Sequence, residues 1–316
     1  MFDHYTQSGP APITMRHVTA PDTDGPASSP AFAKLSRRRE GLGPEEPVDG
    51  VPGYLAGLLN RWFISWLQAM PVHPESLGLR LRLAWEMPYV PIGTGSNKNT
   101  AAEAAADGLW QAASREGGQV LLDMIDLALH DAFPPESVVE IRHNELTAVL
   151  EVILREAGSM WRPTTNGDSL EQRVSDDLRN LLTSATGQGA TAAEAHLQEA
   201  WRRAYGRHPD PSKAYAEAIR AVESAAIPLV TPKDNQATLG TIRGQLRSQS
   251  KDFKFAIAPT AIAPVVETIS ALWEGQTDRH GRPDGVHPIS KESAEAAVAL
   301  AITLVHWFTT GAVQRR

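Results

Sequence analysis

A chain of 316 residues with 42% apolar and 21% charged content is long enough for a real core, in one large domain or two ordinary ones. Its formal charge of −7 argues against coating nucleic acid by bulk electrostatics, and the absence of cysteine removes disulfides, thiolate metal sites and a cysteine nucleophile. The first residues lack a basic-then-apolar signal pattern, and the last apolar segment is short and interrupted by Glu295 and His306, so the expectation is a cytoplasmic protein without a membrane span.

Charge is unevenly spread. From Ala200 onward 15 Lys and Arg face 11 Asp and Glu, whereas the first 199 residues carry 15 against 26. A polyanion would therefore meet the second half.

Residues 1–50 are rich in Pro, Gly, Ser and Thr, carry the basic run Arg37-Arg38-Arg39 and hold too few large apolar side chains to offset ordering; a disordered lead is predicted. Residues 51–160 read as a mainly helical N-terminal domain of unassigned role. In 54–70, Leu55, Leu58, Leu59, Trp62, Phe63, Trp66 and Leu67 recur at helical spacing until Pro71. Apolar residues alternate with arginine over 77–85, a strand period, and 93–100 is a loop without the spacing of a phosphate loop. Helical periodicity returns over 101–114, 120–130 and 145–157. Residues 161–189 are expected to form a connector opening with a β-hairpin, because Asn166-Gly167 is a residue pair favoured in tight turns.

Residues 190–316 read as a five-helix domain. Thr191-Ala-Ala-Glu194 is a capping box for a helix reaching Tyr205, and Asp210-Pro211 opens a second whose buried face runs to Pro228. A third holds Leu239, Ile242 and Leu246, with Arg243, Arg247 and Lys251 as a basic stripe on its other side and candidate contacts to RNA. The fourth carries Ile262, Val265, Val266, Ile269, Leu272 and Trp273 up to Gly275; the fifth is capped by Ser290 and ends at Gly311. On the fifth, Leu300, Leu304 and Trp307 stand beside Val298, Ala301, Val305 and Phe308. One monomer core is not expected to cover all of them, which predicts a homodimer through this bundle. His306 is read as a core histidine hydrogen-bonded inside the bundle.

Between the last two helices lies a polar loop, 276–288, with Asp278, Arg279, His280, Arg282, Asp284 and His287. The segment from Ser212 through Ala237-Thr-Leu-Gly-Thr-Ile242, Leu272-Trp273 and Asp278-Arg279-His280-Gly281 to the closing helix resembles the C-terminal domain of abortive-infection proteins, grouped with the HEPN superfamily. The resemblance covers residues 200–316. It implies a mainly α fold with a C-terminal HEPN-like bundle and an antiphage-defence role. It further implies a metal-independent endoribonuclease whose site is shared by two protomers and carries an arginine followed four to six residues later by a histidine. Arg282 and His287 have that spacing but proline follows the arginine, while Arg279-His280-Gly281 looks more like the arginine end of the motif. Arg203-Ala-Tyr-Gly-Arg-His208 has the same spacing, and the position between two long apolar helices favours the later loop.

On that reading His287 or His280 is the acid or base, Arg279 and Arg282 hold phosphate, and Asp278 orients a ring or a guanidinium; no metal or other cofactor is required. Zinc at His280, His287, Asp278 and Asp284 is a weaker alternative, since no helical His-Glu-x-x-His pattern is present. The rival from another class is a non-catalytic helical module that dimerises or binds RNA or protein through the basic stripe.

Overall fold

The computed structural model describes residues 47–69, 118–131, 137–187, 191–258, 260–276 and 288–316. Residues 1–46 of the lead with its basic run, the 77–85 alternation, the 93–100 loop and the 101–114 stretch lie outside them, whereas Val48, near the end of the lead, forms a bridge to Ser159. Within them the chain is mainly helical with two small antiparallel strand pairs.

The first core gathers around α1 (Gly53–Ala69), α2 (Gln119–Asp131) and α3 (Ser137–Glu156). Leu55, Leu59, Trp62, Phe63, Trp66 and Leu67 of α1 are all buried, as their spacing requires, while Leu58 of the same stripe stays exposed. The Tyr54 hydroxyl donates to the Ala157 carbonyl and the Trp62 indole to that of Leu146, so α1 and α3 run antiparallel. Helix α2 is apolar nearly all round, with Leu122, Met124, Ile125, Ala128 and Leu129 buried. Its buried exception is Asp123.

The hairpin follows as β1 (Trp161–Pro163) and β2 (Leu170–Gln172), paired Trp161 to Gln172 through Pro163 to Leu170. The Asn-Gly turn is present, but the connection is wider than a two-residue loop. Thr164 N–H donates to the Ser169 carbonyl, Gly167 N–H to the Thr164 carbonyl, and the Thr164 hydroxyl to Asp168. Gly167 takes φ 71°, a region that costs other residues. Trp161 and Leu170 join the first core, and the Trp161 indole donates to Asp49.

The connector is not all loop. Residues Asp176–Thr186 form a helix, α4, which the sequence reading did not mark off: Ser175 caps Leu178 N–H, two aspartates occupy the first turn, and Leu178, Leu181 and Leu182 pack on the second core. That core holds the five expected helices: α5 (Ala192–Tyr205), α6 (Pro211–Val230), α7 (Leu239–Ser248), α8 (Ala263–Glu274) and α9 (Lys291–Thr309). The Thr191–Glu194 capping box, the Asp210 cap ahead of Pro211 and the Ser290 cap all form. Helix α6 lies against α5, α7 and α9, its Ala214, Ala218, Ala221 and Ala226 letting the backbones approach.

Four details differ from the sequence reading. Helix α6 continues through Pro228 to Val230, because a proline this near the end forfeits a single backbone bond, and Thr231 N–H already caps onto Ile227. Lys251 lies beyond α7, in a 3₁₀ turn, Ser250–Asp252, that leads into β3 (Phe253–Phe255); β3 pairs with β4 (Val313–Arg315) at the end of the chain. His306 is half-buried and its Nδ1 finds no partner. Of the apolar faces of α9 that predicted a dimer, Val298, Ala301, Leu304, Val305 and Phe308 are buried within one chain against α4, α5, α6 and α8, while Leu300 and Trp307 are only partly covered. No helix among the described residues is long and apolar enough to cross a membrane.

Candidate functional site

The two cores meet at the hairpin. Glu171 of β2 forms an antiparallel bridge to Gly206, the residue after α5, and its buried carboxylate accepts from Arg179 at 2.6 Å and from the Trp201 indole at 2.7 Å. Gly206 is required by close approach, since a side chain there would run into the Arg202 carbonyl. This bridge carries the end of α5 and the segment 206–208 across to α2, and a cavity of about 490 Å³ lies between them.

One wall of the cavity is α2. Asp123, Asp126, Leu127 and His130, spaced three, four and seven residues along, share the face that looks into it. The opposite wall carries Arg202, Arg203, Arg207 and His208.

These groups differ in what already holds them. Asp123 is buried and bound by the buried Arg207, whose guanidinium also donates to the Gln119 carbonyl at 3.1 Å and to the Gln119 side chain, and lies 4.6 Å from the centre of the Trp161 ring. Arg207 is thus committed to structure, tying the two cores together. His208 stands at the mouth, its side chain 65% exposed and its Nε2 3.9 Å from Asp123. Asp126 accepts one bond, from Leu170 N–H at 2.5 Å. Burial pushes the Asp126 carboxyl above its ordinary range, and the Leu170 bond, His208 and Arg207 only partly offset this.

Arg202 and Arg203 contact Glu199, Arg203 at 2.8 Å, and Lys213 reaches the same carboxylate at 3.2 Å. Although burial works against it, hydrogen bonds from Arg203, Arg202 and Lys213 hold Glu199 down to about 2. Three cations around one carboxylate leave the rim net positive, and the Arg202 side chain is 61% exposed. The cavity therefore offers a carboxyl that keeps its proton longer than usual, an imidazole and a cationic rim. These are the parts that proton transfer on a phosphate ester needs. Among the described residues no group of three or more His, Asp or Glu side chains could hold a metal ion.

The site residues expected in the loop, Asp278, Arg279, His280, Arg282 and His287, lie outside the described residues, as does Asp284; what is described is their flanks, Gly275 closing α8 and Ser290 capping α9. Of the basic stripe, Arg243 is turned to Glu274 at 3.3 Å and lies over the Trp273 ring, while Arg247 and Lys251 are exposed. Lys254, Arg315 and Arg316, which the sequence reading did not include, are exposed on β3, on β4 and at the residue after it. Asp123, Asp126 and His130 were missed too. Their signal was available: polar residues recurring on one face of a helix otherwise apolar all round.

Comparison with protein-family models, with curated proteins and with solved structures finds no match.

Proposed function

We propose that this chain is a metal-independent endoribonuclease whose chemistry resides in the cavity between α2 and the end of α5. The observation that carries this reading is that Arg203 and His208, five residues apart and so within the spacing the family resemblance calls for, line one cavity with Asp126, whose carboxyl burial pushes above its ordinary range. His208 takes the proton of an RNA 2′-hydroxyl, the oxygen attacks phosphorus, and the bond from phosphorus to the 5′-oxygen breaks. Asp126 gives its proton to that leaving oxygen. Arg202 and Arg203 offset the charge that grows on the phosphoryl oxygens. The nucleophile belongs to the substrate, which suits a chain without cysteine.

The products are a 2′,3′-cyclic phosphate and a 5′-hydroxyl. The test is incubation of the purified chain with total RNA in excess chelator, followed by analysis of the new ends. Cyclic phosphate ends support the reading; 5′-phosphate ends, or cleavage abolished by the chelator, sink it. The HEPN-like identity of the α5–α9 bundle, the abortive-infection role and the homodimer remain part of the proposal, but acid, base and cations here come from one chain.

A second reading is favoured by one observation. Arg247, Lys251, Lys254, Arg315 and Arg316 are all exposed on α7, the 3₁₀ turn and the β3–β4 end of the chain, and exposed cations of this kind suit contact with a phosphate backbone. On this reading the chain binds RNA without cutting it. Salt-dependent binding lost on charge reversal at Arg247 and Lys251, with no cleavage at any salt concentration, would select it.

A further inference from the structure

A second cavity, about 420 Å³, lies beside the first, and Ser169, Leu170, Arg202 and Gly206 line both. Its chemistry is different. It too carries charge, at Asp168, Glu171, Glu199, Arg179 and Arg202, but it adds exposed neutral groups that the first lacks: Thr165 and Asn166 of the hairpin loop, Thr183 of α4 and Gln198 of α5. Trp201 contributes indole surface.

Arg179 also lines this cavity. Its Nη1 is paired with Glu171, while Nε and Nη2 are enclosed without an acceptor. Two buried donors left unpaired are a standing cost, which a carbonyl in the cavity relieves only when the Arg179 side chain turns toward it. Amides and hydroxyls beside an indole are what reads the edge of an unpaired base, whereas cations hold phosphate. The volume falls in the range of small-ligand sites.

We infer that the substrate is a single-stranded oligonucleotide lying across both cavities, its phosphate in the first and the adjoining nucleobase in the second, with Arg202 on the shared wall between them. This rests on the nuclease reading of the first cavity and names the substrate class for it. A free phosphate or a phosphomonoester would fill only half of the site.

The test is calorimetric titration of the full chain with inorganic phosphate and with a dinucleoside monophosphate that lacks the attacking 2′-hydroxyl. The dinucleotide should bind at least about tenfold more tightly than phosphate. The double variant Asn166→Ala, Gln198→Ala should lose about tenfold in dinucleotide affinity and none for phosphate. Both positions are exposed, and circular dichroism checks folding; Gln198→Glu, which places a negative charge in the same cavity, should act in the same direction. Equal affinity for phosphate and dinucleotide, or variants that bind the dinucleotide as the parent does, overturns this inference alone. Absence of both phosphate binding and RNA cleavage overturns the nuclease reading beneath it.

Discussion

Asp126 is the residue on which the chemistry turns, because a carboxyl is useful as an acid only while it keeps its proton. The fold raises its pKa by burial, and this has a stability consequence with a definite sign. Below the ordinary carboxylate value both folded and unfolded chains are protonated. As pH rises past it the unfolded chain ionises first, and stability is lost until the raised folded value is passed; the penalty is constant above that. Asp126→Asn keeps an oxygen for Leu170 N–H and removes the titration. It should cut the cleavage rate by about 10² to 10⁴ while matching the parent's stability in acid and exceeding it at neutral pH, as read by urea melts at both pH values. Arg207 should behave in the opposite way. Arg207→Ala leaves Asp123 charged and buried, and urea midpoints should report a loss of about 3–5 kcal/mol, recovered in part by adding Asp123→Asn.

At the scale of elements, the hairpin loop sets where the cavity walls stand, and its turn tolerates little. Gly167 combines φ 71° with the buried His143 ring close to where a side chain would project, and the His143 Nε2 lies 2.9 Å from the Gly167 carbonyl. Gly167→Ala should therefore cost about 1–3 kcal/mol, measured by thermal melts, and weaken any ligand held by the second cavity. Elements whose signals are local were legible in the sequence: the α1 stripe, the Thr191 box, the Asp210-Pro211 start, the Ser290 cap and the Asn-Gly turn. Helix α4 has an N-cap, acidic residues in its first turn and one apolar face, yet it is short and lies in a stretch read as connector. Strands β3 and β4 have three residues each and pair across the whole of α8 and α9, so no local pattern announces them. The cavity was illegible for the same reason. The α2 polar face can be read from residues 123–130, but its meeting with Arg203 and His208 depends on the bridge between Glu171 and Gly206.

For the whole molecule, two apolar cores are fastened by polar links: Glu171 with Arg179 and Trp201, Asp123 with Arg207, and Lys291 with Gln172 at 3.0 Å. Most of the apolar surface of α9 is covered within one chain, Leu300 and Trp307 only in part, and the proposed acid and base both come from one chain. A site shared between protomers would let two inactive variants complement each other. Mixing Asp126→Asn with His208→Ala should restore no activity; recovery of about a quarter of the parent rate would place acid and base on different chains.

The most direct measurement sets the two arginine-histidine pairs against each other. Arg203→Ala with His208→Ala, and separately Arg279→Ala with His287→Ala, are compared with the parent for initial rates of RNA cleavage in chelator, each variant checked for folding. The cavity account predicts that the first variant loses cleavage by about 10² or more while the second stays within a few-fold of the parent. Loss in the second with the first unaffected would contradict it and move the chemistry to the loop between α8 and α9.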